Sequence, residues 1–308
     1  MKITILTPSF NDWDCLNQLV VRIKDVLQNT VYNDYRIMVV NDCSSLEPNF
    51  DAIKGHPVEI IHLNKNLGHQ KAIAIGLSYL NKNTDSELIV VMDVDGEDKP
   101  EHLPILLEEA VKNNLKQVIF AQRTKRKESF FFKIFYKIYK NIFILLTGKV
   151  INFGNYSVVP KGLLDKVTHI SDIWNHYPGG LMRSRLPYKS VGLERGERFM
   201  GKSKMNVTSL VIHGLSSIAV YVDTVSVRLL IGISSLFAIT IVTLGIIFLS
   251  TSEISGTIIF ISLLLVGNLI QAVLSSLILV FTVLSYRVNF NFLPAVHYQD
   301  YIESVEKI

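Results

Sequence analysis

Four carboxylates fall within six residues where an apolar run ends. Val90-Val91-Met92 leads into Asp93, Asp95, Glu97 and Asp98, and Pro100 follows. Side chains alternate along an extended chain, so Asp93 and Asp95 leave the run on one side, with Glu97 next in line. Crowded carboxylates repel, and a divalent cation offsets that repulsion. An all-oxygen ligand set suits Mg²⁺ or Mn²⁺, ions that keep waters and accept phosphate oxygens as further ligands. Asp93, Asp95 and Glu97 are therefore the candidate metal ligands. The same short pattern also describes a solvated acidic loop, so its place in the fold decides between the two. Bases gather at Arg123–Lys127 and again at 195–204, RGERFMGKSK. In the second group Gly201 separates Arg198 from Ser203 and Lys204, the spacing of a shaped phosphate clamp. Lys125 and Lys127 read instead as a basic collar for acidic lipid head groups.

The elements that must position these groups come from the first 125 or so residues. KITILTP, YRIMVVND, VEIIHL, ELIVVMDVD and QVIFAQR are short β-branched runs that end in polar residues. Helical stretches at Asp14–Gln28, Gln70–Leu80 and Glu101–Asn113 lie between them. Strands alternating with helices predict an α/β domain with a mostly parallel sheet, whose ligands bind at the carboxyl ends of the strands. Those ends carry Pro8-Ser9-Phe10-Asn11, Asn41-Asp42, Asn64 to Gly68, and Asp93-Val94-Asp95. No GxGxxG follows a strand and no GxxxxGK[ST] occurs, which disfavours dinucleotide oxidoreductases and P-loop hydrolases. The remaining common use of an acidic metal site on such a sheet is to bind a nucleoside diphosphate joined to something else.

Composition adds a membrane. The 308 residues carry a net charge of +4 and only 19% charged side chains, and mean hydropathy is +0.31. These values disfavour a disordered chain, a coiled coil or a nucleic-acid-coating protein. Cys15 and Cys43 supply neither a disulfide framework nor a zinc set. From Val227 to Ser285 the only charged residues are Arg228 and Glu253. The runs 227–250 and 257–285 are each long enough for a hydrocarbon core of about 30 Å. With Lys and Arg flanking the pair, the positive-inside rule predicts a hairpin with both ends in the cytosol. The N-terminal apolar run is too short for a signal peptide, which keeps the bulk of the chain there as well. The stretch 130–146, FFFKIFYKIYKNIFILL, places Lys133, Lys137 and Lys140 on one face, as expected of a helix lying in the bilayer interface. The stretch 205–221 is a weaker candidate of the same kind. The expected division is a catalytic domain over 1–222, membrane helices over 223–286 and a cytosolic tail over 287–308.

The order of Pro8-Ser9-Phe10-Asn11, Val40-Asn41-Asp42-Cys43-Ser44-Ser45, Asn66-Leu67-Gly68-His69-Gln70, Asp93-Val94-Asp95, Arg123 and Gly201-Lys202-Ser203-Lys204 resembles family-2 glycosyltransferases. The branch it is most similar to contains dolichol-phosphate mannose synthase and the bacterial polyprenyl-phosphate glycosyltransferases. The resemblance runs from about residue 3 to 285 and implies a GT-A fold, a UDP- or GDP-linked sugar donor, Mg²⁺ or Mn²⁺, and inversion at the anomeric carbon. It places Pro8, Asn11 and Asp42 around base and ribose, with Asn66, Gly68 and His69 beside the nucleotide sugar. Asp93 and Asp95 would meet the metal and diphosphate, with Glu97 where members often carry a glutamine ligand. Arg123, Arg198, Ser203 and Lys204 would hold donor or acceptor phosphates. It further implies a polyprenyl phosphate acceptor at the inner membrane, a possible homo-oligomer, and a separate flippase if the product is to cross.

The departures bear on mechanism. Asn41-Asp42 replaces a usual Asp-Asp pair, and the tail 289–294 differs from the family's. In the segment 152–157, Asn155 and Ser157 stand where an aspartate considered for catalysis and an arginine are usual. A sugar hydroxyl acceptor needs a general base, typically worth about 10²–10⁴-fold. A phosphate monoester, with its second pKa near 6, is already ionised and nucleophilic at neutral pH. A polyprenyl phosphate acceptor therefore tolerates Asn155. A glycan hydroxyl would need another base, for which Asp172 is the candidate, with His176 behind it; a helix cap is the equally weighted reading of Asp172. The expectation is a transferase with Asp95 essential and Asp172 as candidate base. The alternatives are a glycan-extending transferase and a non-catalytic membrane scaffold.

Overall fold

The computed structural model describes residues 1–124, 130–150, 152–201, 207–250, 255–289 and 292–308. In chain order the elements are β1 (Ile3–Ser9), α1 (Trp13–Leu27), β2 (Tyr35–Asn41), β3 (Val58–Leu63), α2 (His69–Asn83) and β4 (Leu88–Val91). They continue with α3 (Leu103–Lys112), β5 (Val118–Arg123), α4 (Phe130–Thr147), β6 (Phe153–Pro160), α5 (Lys161–Thr168), α6 (Tyr177–Arg183) and β7 (Tyr188–Leu193). The last elements are α7 (Val207–Ala219), α8 (Val222–Ser250), α9 (Gly256–Asn289), α10 (Pro294–His297) and β8 (Ile302–Lys307). The first five strands and first three helices fall where hydrophobic periodicity predicts, within a few residues.

The eight strands among the described residues form one sheet in the order β7-β5-β6-β4-β1-β2-β3-β8. Pairings β1–β2, β1–β4, β2–β3 and β5–β7 are parallel, whereas β6 runs antiparallel to both β4 and β5. Side-chain alternation divides the central strands between two cores. Ile5, Ile37, Val39 and Val90 pack with α1 and α3, whereas Leu6, Met38, Val40 and Val91 pack with α2, α5 and α6. Both sides are dry, hence the nearly continuous β-branched runs rather than polar alternation. Gly76 lets α2 close onto the sheet, since a Cβ there would collide with Leu6 and Val40. The tail, expected as a separate segment, holds a strand: β8 lies antiparallel on β3 and covers that edge.

Two compact units are distinguished: 1–133 with 151–220 and 292–308, and 134–150 with 221–291. In the second, α8 and α9 pack on each other and are long and apolar enough, over Val222–Ser250 and Gly256–Ser285, to cross a membrane. Both begin earlier than the hydropathy pattern alone predicts. Arg228, the lone charge in the first apolar run, donates from Nη1 to the Leu145 carbonyl at 3.1 Å. It thereby caps the last turn of α4, where carbonyls are left over and the helix dipole favours a cation. Phe143 of α4 meets Tyr221 edge-on, ring centroids 6.1 Å apart. Lys137 is exposed and Lys140 half-buried, while the Lys133 side chain lies outside the described residues.

Candidate active site

Strands β1, β2 and β4 end side by side, so the parallel register itself brings their polar termini to one edge. At the end of β2, Asp42 is buried and its carboxylate accepts the backbone N–H groups of Leu67 (2.7 Å) and Gly68 (2.8 Å). The Asn66 amide donates to the Asp42 carbonyl at 3.1 Å. Burial pushes the Asp42 pKa up, against the pull of those two N–H groups. Asn11, at φ 54°, accepts from the N–H of Ser45 (2.8 Å) and Leu46 (2.9 Å) through Oδ1. Asn41 reaches His62 (3.0 Å) and accepts from the Ser44 N–H. Asn11, Asp42 and Asn66, expected as direct ligands, thus fasten the loops that wall this end of the sheet. Pro8 is buried inside β1. Beside it the Ser9 hydroxyl is buried and without a hydrogen-bond partner among the described residues.

The acidic run departs from the extended alternation expected of it. β4 stops at Val91, and the chain then curls: Asp93 N–H donates to Asp98 Oδ2 (2.9 Å), and Glu97 N–H to Asp95 Oδ1 (3.0 Å), with Gly96 at φ 87°. Asp93 and Asp95 remain neighbours, but the Glu97 carboxylate turns to Arg195. Burial and the Asp93 charge push Asp95 up to about 6 and raise buried Asp98 as well. Asp93 goes the other way. Burial would raise it, but His69, Arg123 and the Asn155 amide hold it well below the usual carboxylate range. His69, the first residue of α2, lies 3.0 Å from Asp93; burial pulls its pKa down, but the Asp93 pairing outweighs that and raises it.

Asn155 is built into this cluster. Its Oδ1 accepts from Gln70 Nε2 (3.1 Å), and its Nδ2 lies 3.4 Å from Asp93 and 3.0 Å from His69 Nε2. With the His69 proton facing Asp93, the amide donates to the same carboxylate. Gln70 Oε1 in turn accepts the Tyr177 N–H at 2.6 Å, and the Tyr177 hydroxyl bonds Ser157 at 2.8 Å. A line of hydrogen bonds therefore joins α2, β6 and α6 behind Asp93. Of its members, Gln70 was visible only as part of a motif, and Tyr177 carried no sequence signal.

A strap of the chain covers the acidic turn. Phe199 N–H donates to the Asp95 carbonyl (2.8 Å) and Gly196 N–H to the Glu97 carbonyl (2.7 Å). Arg198 bridges Asp95 (3.0 Å) and Asp12 (2.6 Å), a partner the sequence did not suggest. Ser203 and Lys204, the rest of the expected clamp, lie outside the described residues. Asp172 belongs to another contact. Arg183 Nη1 lies 3.1 and 3.0 Å from its two oxygens and 2.6 Å from the Val220 carbonyl. Asp172, the expected candidate base, is thus engaged in an ion pair with Arg183. His176 accepts the Gly179 N–H at 3.0 Å and faces His213 of α7, ring centroids 4.9 Å apart.

Asp93 and Asp95 suit a divalent cation: both are oxygen donors, adjacent, and crowded enough that Asp95 is driven upward. Among the described residues no group of three or more His, Cys, Asp or Glu stands together in ligating geometry. The protein would supply two ligands and leave the rest to phosphate and water, as Mg²⁺ commonly requires.

An α/β sheet with its acids at a strand end is the GT-A architecture, and two apolar helices follow it. Mannosyl-3-phosphoglycerate synthase from Rubrobacter xylanophilus superimposes with a TM-score of 0.52 at 17% identity, over 71% of this chain and 72% of that one. Glucosyl-3-phosphoglycerate synthase from Mycobacterium tuberculosis, solved with Mn²⁺, UDP-glucose and phosphoglyceric acid, gives 0.52 at 15% identity, over 72% and 79%. Residues 4–170 match the family model for glycosyl transferase family 2, and the chain belongs to that family. It is 29% identical over 221 residues to the uncharacterized glycosyltransferase YkcC of Bacillus subtilis (strain 168), covering 66% of this chain and 63% of that protein. It is 26% identical over 256 residues to the undecaprenyl-phosphate 4-deoxy-4-formamido-L-arabinose transferase of Klebsiella pneumoniae (strain 342), covering 79% and 73%.

Proposed function

We propose that this enzyme transfers a sugar from a nucleoside-diphosphate donor to a polyprenyl phosphate, as a member of the polyprenyl-phosphate branch of its family. The observation that carries the reading is the state of the carboxylates. Asp93 is held by His69 and Asn155, Asp95 by Arg198, Glu97 by Arg195 and Asp172 by Arg183, and position 155 is an amide. A site so arranged favours an acceptor that arrives already ionised, and a phosphate monoester does. The Klebsiella relative, whose name specifies undecaprenyl phosphate, and the two membrane-length helices support the same acceptor.

In this reading the nucleotide lies over the ends of β1 and β2, walled by the loops that Asn11, Asp42 and Asn66 secure. Its diphosphate meets the N-terminus of α2 beside His69, where the helix dipole favours an anion. Mg²⁺ or Mn²⁺ held by Asp93 and Asp95 would neutralise the charge of the departing nucleoside diphosphate. Arg123, with Arg198, Ser203 and Lys204, orients the phosphates. One acceptor oxygen forms the bond to the anomeric carbon from the face opposite the leaving group, the C–O bond to the nucleoside diphosphate breaks, and the configuration inverts. His69 and the Asn155 amide keep Asp93 ionised and fixed throughout. The catalytic unit and both termini face the cytosol, and the helices α4 and α7 lie at the inner leaflet.

The test is transfer by the purified protein in lipid nanodiscs with Mn²⁺, a panel of UDP- and GDP-sugars, and either undecaprenyl phosphate or a lipid-linked glycan. Label appearing in the polyprenyl phosphate supports the proposal. Label confined to a glycan hydroxyl overturns it in favour of the glycan-extending alternative.

A further inference from the structure

Outside the active site, one cluster of the catalytic unit has a composition unlike a core. The Trp174 ring stands 4.4 Å from that of Phe292 and 5.2 Å from that of Tyr301, and Phe292 stacks on His297 at 4.9 Å with 19° between planes. None of the four is fully buried. Two ammonium groups cap the cluster: Lys71 Nζ lies 5.5 Å from the Trp174 ring centroid and Lys65 Nζ 5.6 Å from that of Tyr301. Next to it Val296 is 59% exposed. Amphipathic Trp and Tyr rings joined by Lys are the chemistry of a bilayer's head-group layer, where the ring bodies sit among glycerol and acyl carbons and the cations meet phosphate.

Chain length points to the same partner. α9 is 34 residues, about 51 Å at 1.5 Å per residue, enough for the hydrocarbon and both head-group layers at about 40–45 Å. It ends at Asn289, and Phe292 is three peptide links further on. Three links reach at most about 11 Å. Wherever α9 emerges, Phe292 emerges within that distance.

We propose that Trp174, Phe292 and Tyr301, with Lys65 and Lys71, form a head-group-binding surface that seats the catalytic unit on an anionic bilayer. The inference rests on reading α9 as a membrane span. It has a functional consequence, because Lys71 is two residues from His69 on the first turn of α2. The acidic site then stands at the height of the lipid phosphates, and an acceptor phosphate reaches it without leaving the interface.

The chain contains two tryptophans, and Trp13, the first residue of α1, is buried, so Trp174 can be isolated as a reporter. The experiment is steady-state fluorescence of the full-length Trp13→Phe variant in nanodiscs containing phosphatidylglycerol and lipids brominated at successive acyl positions. The expected result is a loss of about half the emission with bromines near the glycerol, falling away toward the bilayer centre. If Trp13→Phe fails to fold, the difference between the wild type and Trp174→Phe gives the same profile. Emission unchanged by any brominated lipid, in protein that alkaline carbonate fails to extract, overturns the surface while leaving the spans intact. Protein that carbonate does extract overturns the spanning reading itself. The lysine contribution is read by replacing phosphatidylglycerol with phosphatidylcholine: quenching falls in the wild type and stays constant in Lys65→Glu/Lys71→Glu. Equal quenching of the wild type in both lipids would overturn the anionic preference.

Discussion

Asp42 and Asp95 stand near the ends of β2 and β4, the two strands that flank β1, are both acids pushed upward by burial, and are neutralised in different ways. Asp42 is held by two backbone N–H groups that no ligand can displace without unfolding the 66–68 loop. Asp95 is held by the guanidinium of Arg198, a side chain on a strap that can exchange for another cation. Backbone donors make a carboxylate architectural, whereas a side-chain cation on a strap leaves it open to exchange for a metal ion. The distinction sorts the site's residues better than proximity to the sheet edge does.

The largest effect expected from this division is on transfer by Asp95→Asn. Losing one of two anionic ligands removes several kcal/mol of charge stabilisation, so kcat falls on the order of 10³-fold. The melting temperature holds or rises, since a carboxylate pushed to about 6 is unfavourably placed in the folded state. A large drop in melting temperature would assign Asp95 to the architecture instead. Asp42→Asn should reverse the pattern. The amide accepts one N–H where the carboxylate accepts two, and its own N–H₂ confronts the second, costing about 1–3 kcal/mol of stability. Thermal unfolding reads that loss, with activity reduced through donor KM.

Much of this was legible in the sequence, and what was not has identifiable causes. The strand ends were found because apolar runs stop abruptly at polar residues, and Asp93 and Asp95 were found because four acids together are rare beside a buried strand. Glu97 departs from the expected alternation because the strand stops at Val91, after which the Asp95 side chain and the positive φ of Gly96 bend the chain. Asp12, Gln70 and Tyr177 were missed because their partners lie 186, 85 and 107 residues away, at separations that no local pattern encodes. The β8 strand was missed because its alternation is weak: it is an edge strand with charged residues facing water.

His176 falls on the architectural side with Asp42, since it too answers a backbone donor, the Gly179 N–H. Burial and the nearby His213 push its pKa down to about 3 from 6.5. The unfolded chain therefore binds a proton that the folded chain refuses, and stability is complete above about pH 6.5 and lost progressively as pH falls toward 3. Between pH 7 and pH 5 the loss is about 2 kcal/mol. Denaturant melts of the wild type against His176→Gln measure it: the variant should show a shallower dependence over that interval. Parallel curves would remove His176 from the group.

The smallest effect tests the comparison most directly. If Arg198 is an exchangeable counter-ion, Arg198→Met leaves Asp95 and Asp12 without their shared cation and makes the acidic turn a stronger attractor of metal. A single charge 3.0 Å away, partly screened by solvent, corresponds to about a tenfold tightening of Mn²⁺ binding. Titration of free Mn²⁺ by electron paramagnetic resonance reads this without donor or turnover, so it stays separate from any part Arg198 plays in holding phosphate. The same substitution should leave Asp42→Asn no more and no less destabilising, because the two acids draw on different partners. Unchanged or weaker Mn²⁺ binding would mean that Arg198 shapes the turn rather than guarding it. The strap would then belong with Leu67 and Gly68 among the fixed donors of the sheet edge.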